Sequence, residues 1–297
     1  VPNRTNPYAQ STAAQLSPKQ QSTRSSGVGE DYVLSDRDFD RIAQRLRETC
    51  GIVLHNHKRQ MVISRLSRRL RSGGFASFSE YLDHVESERD ATESEAFANA
   101  LTTNLTSFFR EPHHFEHFAK HIIEPKLASG DPKLRVWSAG CSTGEEPYTI
   151  AMVLMSLAKS VPPDFRILAT DIDTTVLSKA KAGLYDTSKL EGIPEYTRRM
   201  FRFSDQEKKC RVSANLIEIV KFLPLNLLNQ WPMKGPFDAI FCRNVLIYFD
   251  ASTKFSLVDR FADLLPRDGV LYLGHSESIL GEHPKLESLG RTIYRRK

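Results

Sequence analysis

Trp137-Ser138-Ala139-Gly140-Cys141-Ser142-Thr143-Gly144-Glu145-Glu146-Pro147-Tyr148 is the stretch on which the fold turns. It carries a short apolar run into a loop of small residues and then into a helix with Pro147 in its first turn, where the missing N–H costs nothing. Small side chains let a ligand lie against backbone amides, and the first strand–loop–helix crossover is where doubly wound sheets take nucleosides. The next apolar run ends in Thr170-Asp171-Ile172-Asp173, which puts Asp171 at the carboxyl edge of the sheet, where its side chain can accept both ribose hydroxyls. Glu145 and Glu146 stand where a dinucleotide would set its pyrophosphate, and two carboxylates there repel a diphosphate. This pattern disfavours NAD and suits S-adenosylmethionine, a phosphate-free nucleoside with a cationic sulfonium and ammonium. Capping of the helix and compensation of its dipole is the other reading of the two glutamates.

Toward the C-terminus, short apolar runs alternate with helical stretches, the pattern of a parallel sheet with crossover helices. Strands are expected at 135–139, 166–170, 217–223, 238–243, 269–274 and 292–295, and helices at 145–159, 174–182 and 252–265. The interval 184–215 breaks the alternation and reads as an insertion on the sheet. Toward the N-terminus the period is helical. Ser35 or Asp36 can cap a helix that buries Phe39, Ile42, Ala43 and Leu46 and ends near Gly51. A second helix, about 57–72, turns Val62, Ile63, Leu66 and Leu70 inward and stops at Gly73 and Gly74; two more are expected at 79–88 and 93–103. Residues 1–29 are dominated by Ser, Thr, Gln, Asn, Pro and Gly, with too few large apolar groups to offset the entropy of ordering, so a disordered tail is expected.

At 297 residues the chain has room for two cores, and 40% hydrophobic with 26% charged residues excludes a wholly disordered or collagen-like protein. The longest apolar stretch, 150–158, is interrupted by Ser156 and falls far short of the roughly 20 residues needed to cross a bilayer. Cys50, Cys141, Cys210 and Cys242 lie far apart with no CxxC pair, and no apolar export segment is visible, so a cytoplasmic location is expected. A formal net charge of +5 mildly favours acidic partners.

With Thr103-Asn104-Leu105-Thr106-Ser107-Phe108-Phe109-Arg110, the segment 137–148 and the segment 237–250 in this order, the chain resembles the CheR family of chemotaxis receptor methyltransferases over roughly residues 32–295. The resemblance implies an α/β fold: a class I, Rossmann-like S-adenosylmethionine-dependent methyltransferase domain over 106–297 with a small antiparallel β-subdomain inserted at about 184–216. A small all-helical domain over 32–105 and a tail over 1–31 precede it. The implied activity is transfer of a methyl group from S-adenosylmethionine to glutamate side chains of chemoreceptors in sensory adaptation, leaving glutamyl methyl esters and S-adenosylhomocysteine. By the same resemblance Asn104, Thr106 and Arg110 lie over the cofactor, Glu146 and Asp171 serve its methionine and ribose portions, and Asn226 and Leu227 border the adenine. Arg243 and Asn244 follow the fourth strand of the sheet, and Arg110 and Tyr248 are similar to family residues near the reacting sulfur. Taken alone, Arg110 can equally be a solvated salt-bridge residue and Tyr248 a core aromatic.

Such chemistry asks mainly for placement. A glutamate side chain, with a reference pKa of about 4.3, is already ionised at neutral pH and attacks a sulfonium methyl without a general base. The enzyme must align carboxylate, methyl and sulfur and strip water from the anion, a role assigned here to Arg110 and Tyr248. Lys58, Arg59, Arg65, Arg68, Arg69 and Arg71, with no acidic residue between Ile52 and Ser72, form a basic helix face on which acidic receptor helices can dock, with Arg65, Arg68 and Arg69 as the expected contacts. His113, His117 and His121 share a helix face but spread over about 12 Å at 1.5 Å per residue, too far for one ion, so a polar face and no metal are expected. The stretch Phe203 to Cys210 contains no glycine and looks shorter than the family's hairpin, which argues against tethering to a receptor's C-terminal pentapeptide. A monomer without nucleic-acid partner or membrane insertion is expected. The competing readings are an RNA methyltransferase, disfavoured because no aromatics interleave the basic segment, and a noncatalytic S-adenosylmethionine-binding signalling module.

Overall fold

The computed structural model describes residues 32–87, 90–131, 133–158, 164–204, 208–279 and 281–297; the expected tail over 1–31 lies outside them. Helix α1 (Asp36–Cys50) begins where the Ser35 hydroxyl accepts the Asp38 N–H at 3.0 Å, and ends on Gly51 at φ 71°. It buries Phe39, Ile42 and Leu46. After one 3-10 turn, α2 (Arg59–Gly73) turns Val62, Leu66 and Leu70 inward. Helices α3 (Phe78–Glu86) and α4 (Ala91–Leu101) are capped by Ser77 and Asp90, and Tyr81, Leu82, Val85 and Phe97 close the helical core.

Helix α5 (Pro112–Phe118) runs through a π-helical turn (Ala119–Ile123) into α6 (Glu124–Ser129). Then come β1 (Lys133–Ala139), α7 (Glu145–Leu157), β2 (Asp164–Asp171), α8 (Thr174–Ala182), β3 (Leu184–Asp186), β4 (Phe201–Ser204), β5 (Lys209–Val212), α9 (Ala214–Glu218), β6 (Val220–Pro224), β7 (Ala239–Cys242), α10 (Ala251–Asp263), β8 (Val270–Leu273), β9 (Leu286–Gly290) and β10 (Ile293–Arg296). The main sheet has the order β6-β2-β1-β7-β8-β10-β9, parallel from β6 to β8 and antiparallel where β10 inserts between β8 and β9. This arrangement matches the Rossmann-like sheet that the resemblance implies. The strand order reverses between β1 and β7, opening a crevice at their carboxyl ends. Strands β3-β5-β4 form a separate antiparallel sheet within the insertion.

The central strands are covered on both faces, which is why they read as continuous apolar runs. On one face Trp137 packs edge-on to Trp231 and Phe261; on the other, Phe241 stacks on Tyr272 at 4.3 Å. Each such fully buried side chain contributes roughly 2–3 kcal/mol of transfer free energy.

Several expectations need correction. The strand expected at 217–223 begins only at Val220, because Ser213 opens a helical turn and Ile217 N–H closes back on the Ser213 carbonyl. Strand β9 was not expected; it is an edge strand in which Leu286 is the buried residue, so it carries no apolar alternation. On the histidine face His121 is exposed and His113 and His117 are half-buried, while the neighbouring His114 turns inward. His114 is fully buried and bonds the Arg291 carbonyl through Nε2 at 3.0 Å, and His117 Nδ1 meets the Tyr272 hydroxyl at 2.9 Å. Among the described residues, no helix is long and apolar enough to cross a membrane.

Candidate functional site

At the end of β1 the chain turns sharply through Gly140, at φ 80°, where an added Cβ would lie 2.3 Å from a Val245 methyl. The loops after β1 and β7 therefore touch, and only glycine fits there. Gly140 and Cys141 both donate their N–H groups to the Thr170 carbonyl, at 2.8 and 2.9 Å. Ser142 follows at φ 50° and donates its N–H to Asp171 Oδ2 at 2.8 Å, while Asp173 N–H donates to Oδ1 at 2.9 Å. Backbone N–H groups on both oxygens fix the Asp171 carboxylate and leave lone pairs for a ligand's hydroxyls. Burial raises its pKa against these backbone bonds.

The turn opens into a cavity between the carboxyl edge of the sheet and the segment that links α4 to α5. Asn104, Thr106, Arg110, Glu146, Asp171, Asn226, Leu227, Arg243 and Asn244 all line it, as does Tyr248. The structure thus brings the expected cofactor residues and the two catalytic candidates around one space. Two of them are committed elsewhere through their side-chain amides. Asn104 Nδ2 donates to Asp173 Oδ2 at 2.8 Å, and Asn226 Nδ2 donates to the Thr49 carbonyl at 2.6 Å. Asp173 does double service: Oδ1 caps α8, and Oδ2 also takes the Thr102 hydroxyl at 2.9 Å, so one carboxylate ties the linker to the sheet.

Glu146 and Arg243 form the charged floor. Arg243, with its side chain 2% exposed, donates to Glu146 Oε2 at 3.1 Å, lies 3.3 Å from Glu111 Oε2 and sits over the Phe115 ring. Its Nη2 also donates to the Arg110 carbonyl. Ser138 donates its hydroxyl to Glu146 Oε1 at 2.7 Å. Burial raises the Glu146 pKa while Arg243 opposes the rise. At Glu111 burial is overcome by Arg243 and by hydrogen bonds from His275, which hold its carboxyl at about 2. Glu111 was missed by sequence reasoning. Phe109 and Glu111, at φ 54° and 55°, flank Arg110 in a left-handed backbone that neither residue favours, and such strain is concentrated at functional sites.

Arg110 donates to the Leu105 carbonyl at 2.9 Å, with its side chain 30% exposed at the cavity mouth. It is neither a freely solvated side chain nor a buried one. Tyr248 is half-buried rather than core; burial raises its hydroxyl pKa, and Thr103, Arg110 and Arg65 counteract the rise. Glu145 takes a different course from Glu146: it points away from the cavity, accepts the Thr143 hydroxyl at 2.6 Å and pairs with Lys189 at 3.2 Å. The cofactor alternative for Glu145 is thereby corrected to a structural one.

The basic face is also less one-signed than its sequence. Arg69 is clamped by Glu93, with Nε on Oε1 at 3.1 Å, and Arg59 pairs with Asp36 at 2.9 Å. Compensation comes from other elements, invisible in the local run. Arg65 donates to the Thr102 carbonyl at 2.5 Å at the cavity rim, and Arg68 is exposed in the broad groove between α2 and the small sheet. In the hairpin β4–β5, Ser204 pairs with Lys209; Asp205, Gln206 and Glu207, on which the glycine-free loop reading turns, lie outside the described residues.

The donor set fits S-adenosylmethionine. Asp171 would hold the ribose hydroxyls, the apolar Ile172, Leu225 and Leu227 would flank the adenine, and Glu146 with Arg243 would face the ammonium and carboxylate of the methionine end.

Residues 37–102 match the profile of the CheR methyltransferase all-alpha domain, and residues 104–295 that of the CheR methyltransferase SAM binding domain. The chain is 46% identical over 269 residues to the chemotaxis protein methyltransferase of Escherichia coli K12, covering 89% of this chain and 92% of that protein. It is 37% identical over 267 residues to the chemotaxis protein methyltransferase of Borreliella burgdorferi, covering 87% and 94%. Among solved structures, magnesium protoporphyrin IX methyltransferase from Synechocystis with bound SAH superposes with TM-score 0.30 at 15% identity, over 69% of this chain and 67% of that one. Matched along both units by this pair of profiles and by relatives over nearly their whole length, this chain is a member of the CheR family of S-adenosylmethionine-dependent methyltransferases.

Proposed function

We propose that the protein esterifies glutamate side chains of chemoreceptor cytoplasmic domains with the methyl group of S-adenosylmethionine. The observation that carries this reading is the mouth of the cavity, where the Arg110 guanidinium and the Tyr248 hydroxyl, both donors suited to a carboxylate, stand together. A nucleophile that needed deprotonation would call for a base; a carboxylate does not. S-adenosylmethionine supplies, when bound, a methyl group already activated by a cationic sulfur. The chain's own residues do the rest. Arg110 and the Tyr248 hydroxyl orient the incoming carboxylate, and the closed floor of Glu146, Arg243 and Glu111 keeps bulk water from behind the reacting centre. Arg110, already engaged with the Leu105 carbonyl, holds the anion loosely, and loose holding matters because ground-state binding that fades as the carboxylate charge is lost would raise the barrier. The receptor docks along Arg65 and Arg68 on α2, acidic helix against basic helix. This reading also favours direct docking over a pentapeptide tether.

The test is transfer of radiolabelled methyl to a purified receptor cytoplasmic fragment, followed by alkali. Glutamyl esters release the label as methanol. Label that stays on after alkali, or that goes to RNA with a steep salt dependence, would refute the reading.

A further inference from the structure

We propose that Glu277 is a positioning residue for methyl transfer: its carboxylate fixes the 243–248 segment and thereby the placement of Tyr248. The inference rests on the reading of Tyr248 given above. Glu277 follows β8, is 7% exposed and lies outside the set of cavity-lining residues. Its carboxylate is wrapped in backbone. Oε2 accepts the N–H of Asn244 and the N–H of Gly274, each at 2.6 Å, and Oε1 accepts the N–H of Ile247 at 3.0 Å. Its own N–H donates to the Gly274 carbonyl at 2.8 Å.

These bonds hold the segment at both ends. Asn244 sits at φ 61°, a left-handed conformation that asparagine tolerates better than most side chains, and Glu277 is the group that receives the N–H which that conformation aims inward. Ile247 belongs to the 3-10 turn Leu246–Tyr248, so the second oxygen anchors the turn that bears the Tyr248 ring. Closure is sterically tight: a Cβ on Gly274 would come within 2.7 Å of Glu277 Oε2 and 2.6 Å of Asn244 Nδ2. On its far side Tyr248 is held by its carbonyl, which accepts the Val53 N–H at 2.8 Å. Ionised acceptors of backbone N–H groups make bonds about twice as strong as neutral ones, and a displacement near 1 Å at a reacting centre can cost about a hundredfold in rate. A buried carboxylate with several main-chain donors on one short loop is a device for setting that displacement to zero.

Glu277→Gln replaces one acceptor oxygen with an NH2 that opposes a backbone N–H. The expected result is a fall in kcat of roughly ten- to hundredfold, with a smaller change in KM for S-adenosylmethionine. Gly274→Ala, which pushes on the same contact from the other side, is expected to lower kcat similarly. The deciding readout is the cycle with Tyr248→Phe. If Glu277 acts through Tyr248, then Glu277→Gln and Gly274→Ala each change kcat by less than about twofold in the Tyr248→Phe background. Equal losses in both backgrounds, or an unchanged kcat in Glu277→Gln, overturn the proposal. Should Glu277→Gln not yield folded protein, the cycle read with Gly274→Ala decides by the same criterion. A Tyr248→Phe enzyme with wild-type kcat refutes instead the role of Tyr248, so the two failures are distinguishable.

Discussion

Replacing Arg243 with Met keeps the volume of the side chain and removes its charge. In the native protein this guanidinium is the cation shared by Glu146 at 3.1 Å and Glu111 at 3.3 Å, with both carboxylates 11% exposed. Breaking a buried pair by removing one partner costs about 3–5 kcal/mol, because the other charge stays behind without compensation. At roughly 2 °C per kcal/mol for a chain of this size, the melting temperature at neutral pH falls by roughly 6–10 °C. The sign of the pH dependence is the more discriminating readout. In the wild type, Glu111 is held at about 2, below its unfolded value, so its contribution is present above about pH 4.3 and is lost as pH falls toward 2. In Arg243→Met the largest opposition to burial is gone at both sites: the Glu146 carboxyl, which burial already raises, is raised further against the Ser138 hydroxyl alone, and Glu111 keeps chiefly the hydrogen bonds from His275. The folded state then binds more protons than the unfolded one, and stability falls as pH rises. Urea denaturation of both proteins between pH 5 and 8 should show the variant's deficit shrinking toward the acid end. A deficit below 1 kcal/mol, or one independent of pH, would refute the description of this floor as a compensated charge cluster.

Three further outcomes follow from the same geometry. Arg110→Ala and Tyr248→Phe should each lower kcat for receptor methylation at least tenfold, measured by methyl incorporation, with calorimetric affinity for S-adenosylhomocysteine changed far less; unchanged kcat in both would remove them from the reacting centre. Arg65→Glu combined with Arg68→Glu should raise KM for an acidic receptor fragment with little effect on cofactor affinity, whereas equal loss of both would indicate misfolding. His114 is buried and its pKa is lowered to about 4 by desolvation, so the folded protein keeps it neutral where the unfolded chain takes a proton; its contribution is present above about pH 6.5 and is lost as pH falls toward 4. The loss amounts to about 3 kcal/mol at about 1.4 kcal/mol per tenfold change, and a His114→Gln variant should flatten the stability curve between these pH values.

The sheet and its cavity were legible because their determinants are local. The buried strands announce themselves as apolar runs, and Gly140, Asp171 and Glu146 fall at positions fixed by the strand–loop–helix turn. What the sequence concealed depends on partners distant in the chain. Asp173, Glu111 and Glu277 are single carboxylates whose roles exist only where Thr102, Arg243 and the Asn244 N–H meet them. Arg69 looked available because Glu93 belongs to another helix. The true beginning of β6 was hidden by a competition between apolar content and the helical turn that Ser213 opens, in which local hydrogen bonding wins over β-propensity. Edge strand β9 faces solvent with most of its residues and so lacks the pattern by which strands are recognised.

Titration calorimetry with S-adenosylhomocysteine, run on the wild type and on Asp171→Ala, with NAD as the competing nucleotide, bears most directly on the central claim that an acid-floored cavity accepts a phosphate-free nucleoside. The account predicts saturable one-to-one uptake by the wild type, loss of most of that affinity in Asp171→Ala, and no displacement by NAD. Absence of binding to the wild type, or displacement of the nucleoside by NAD, would contradict it.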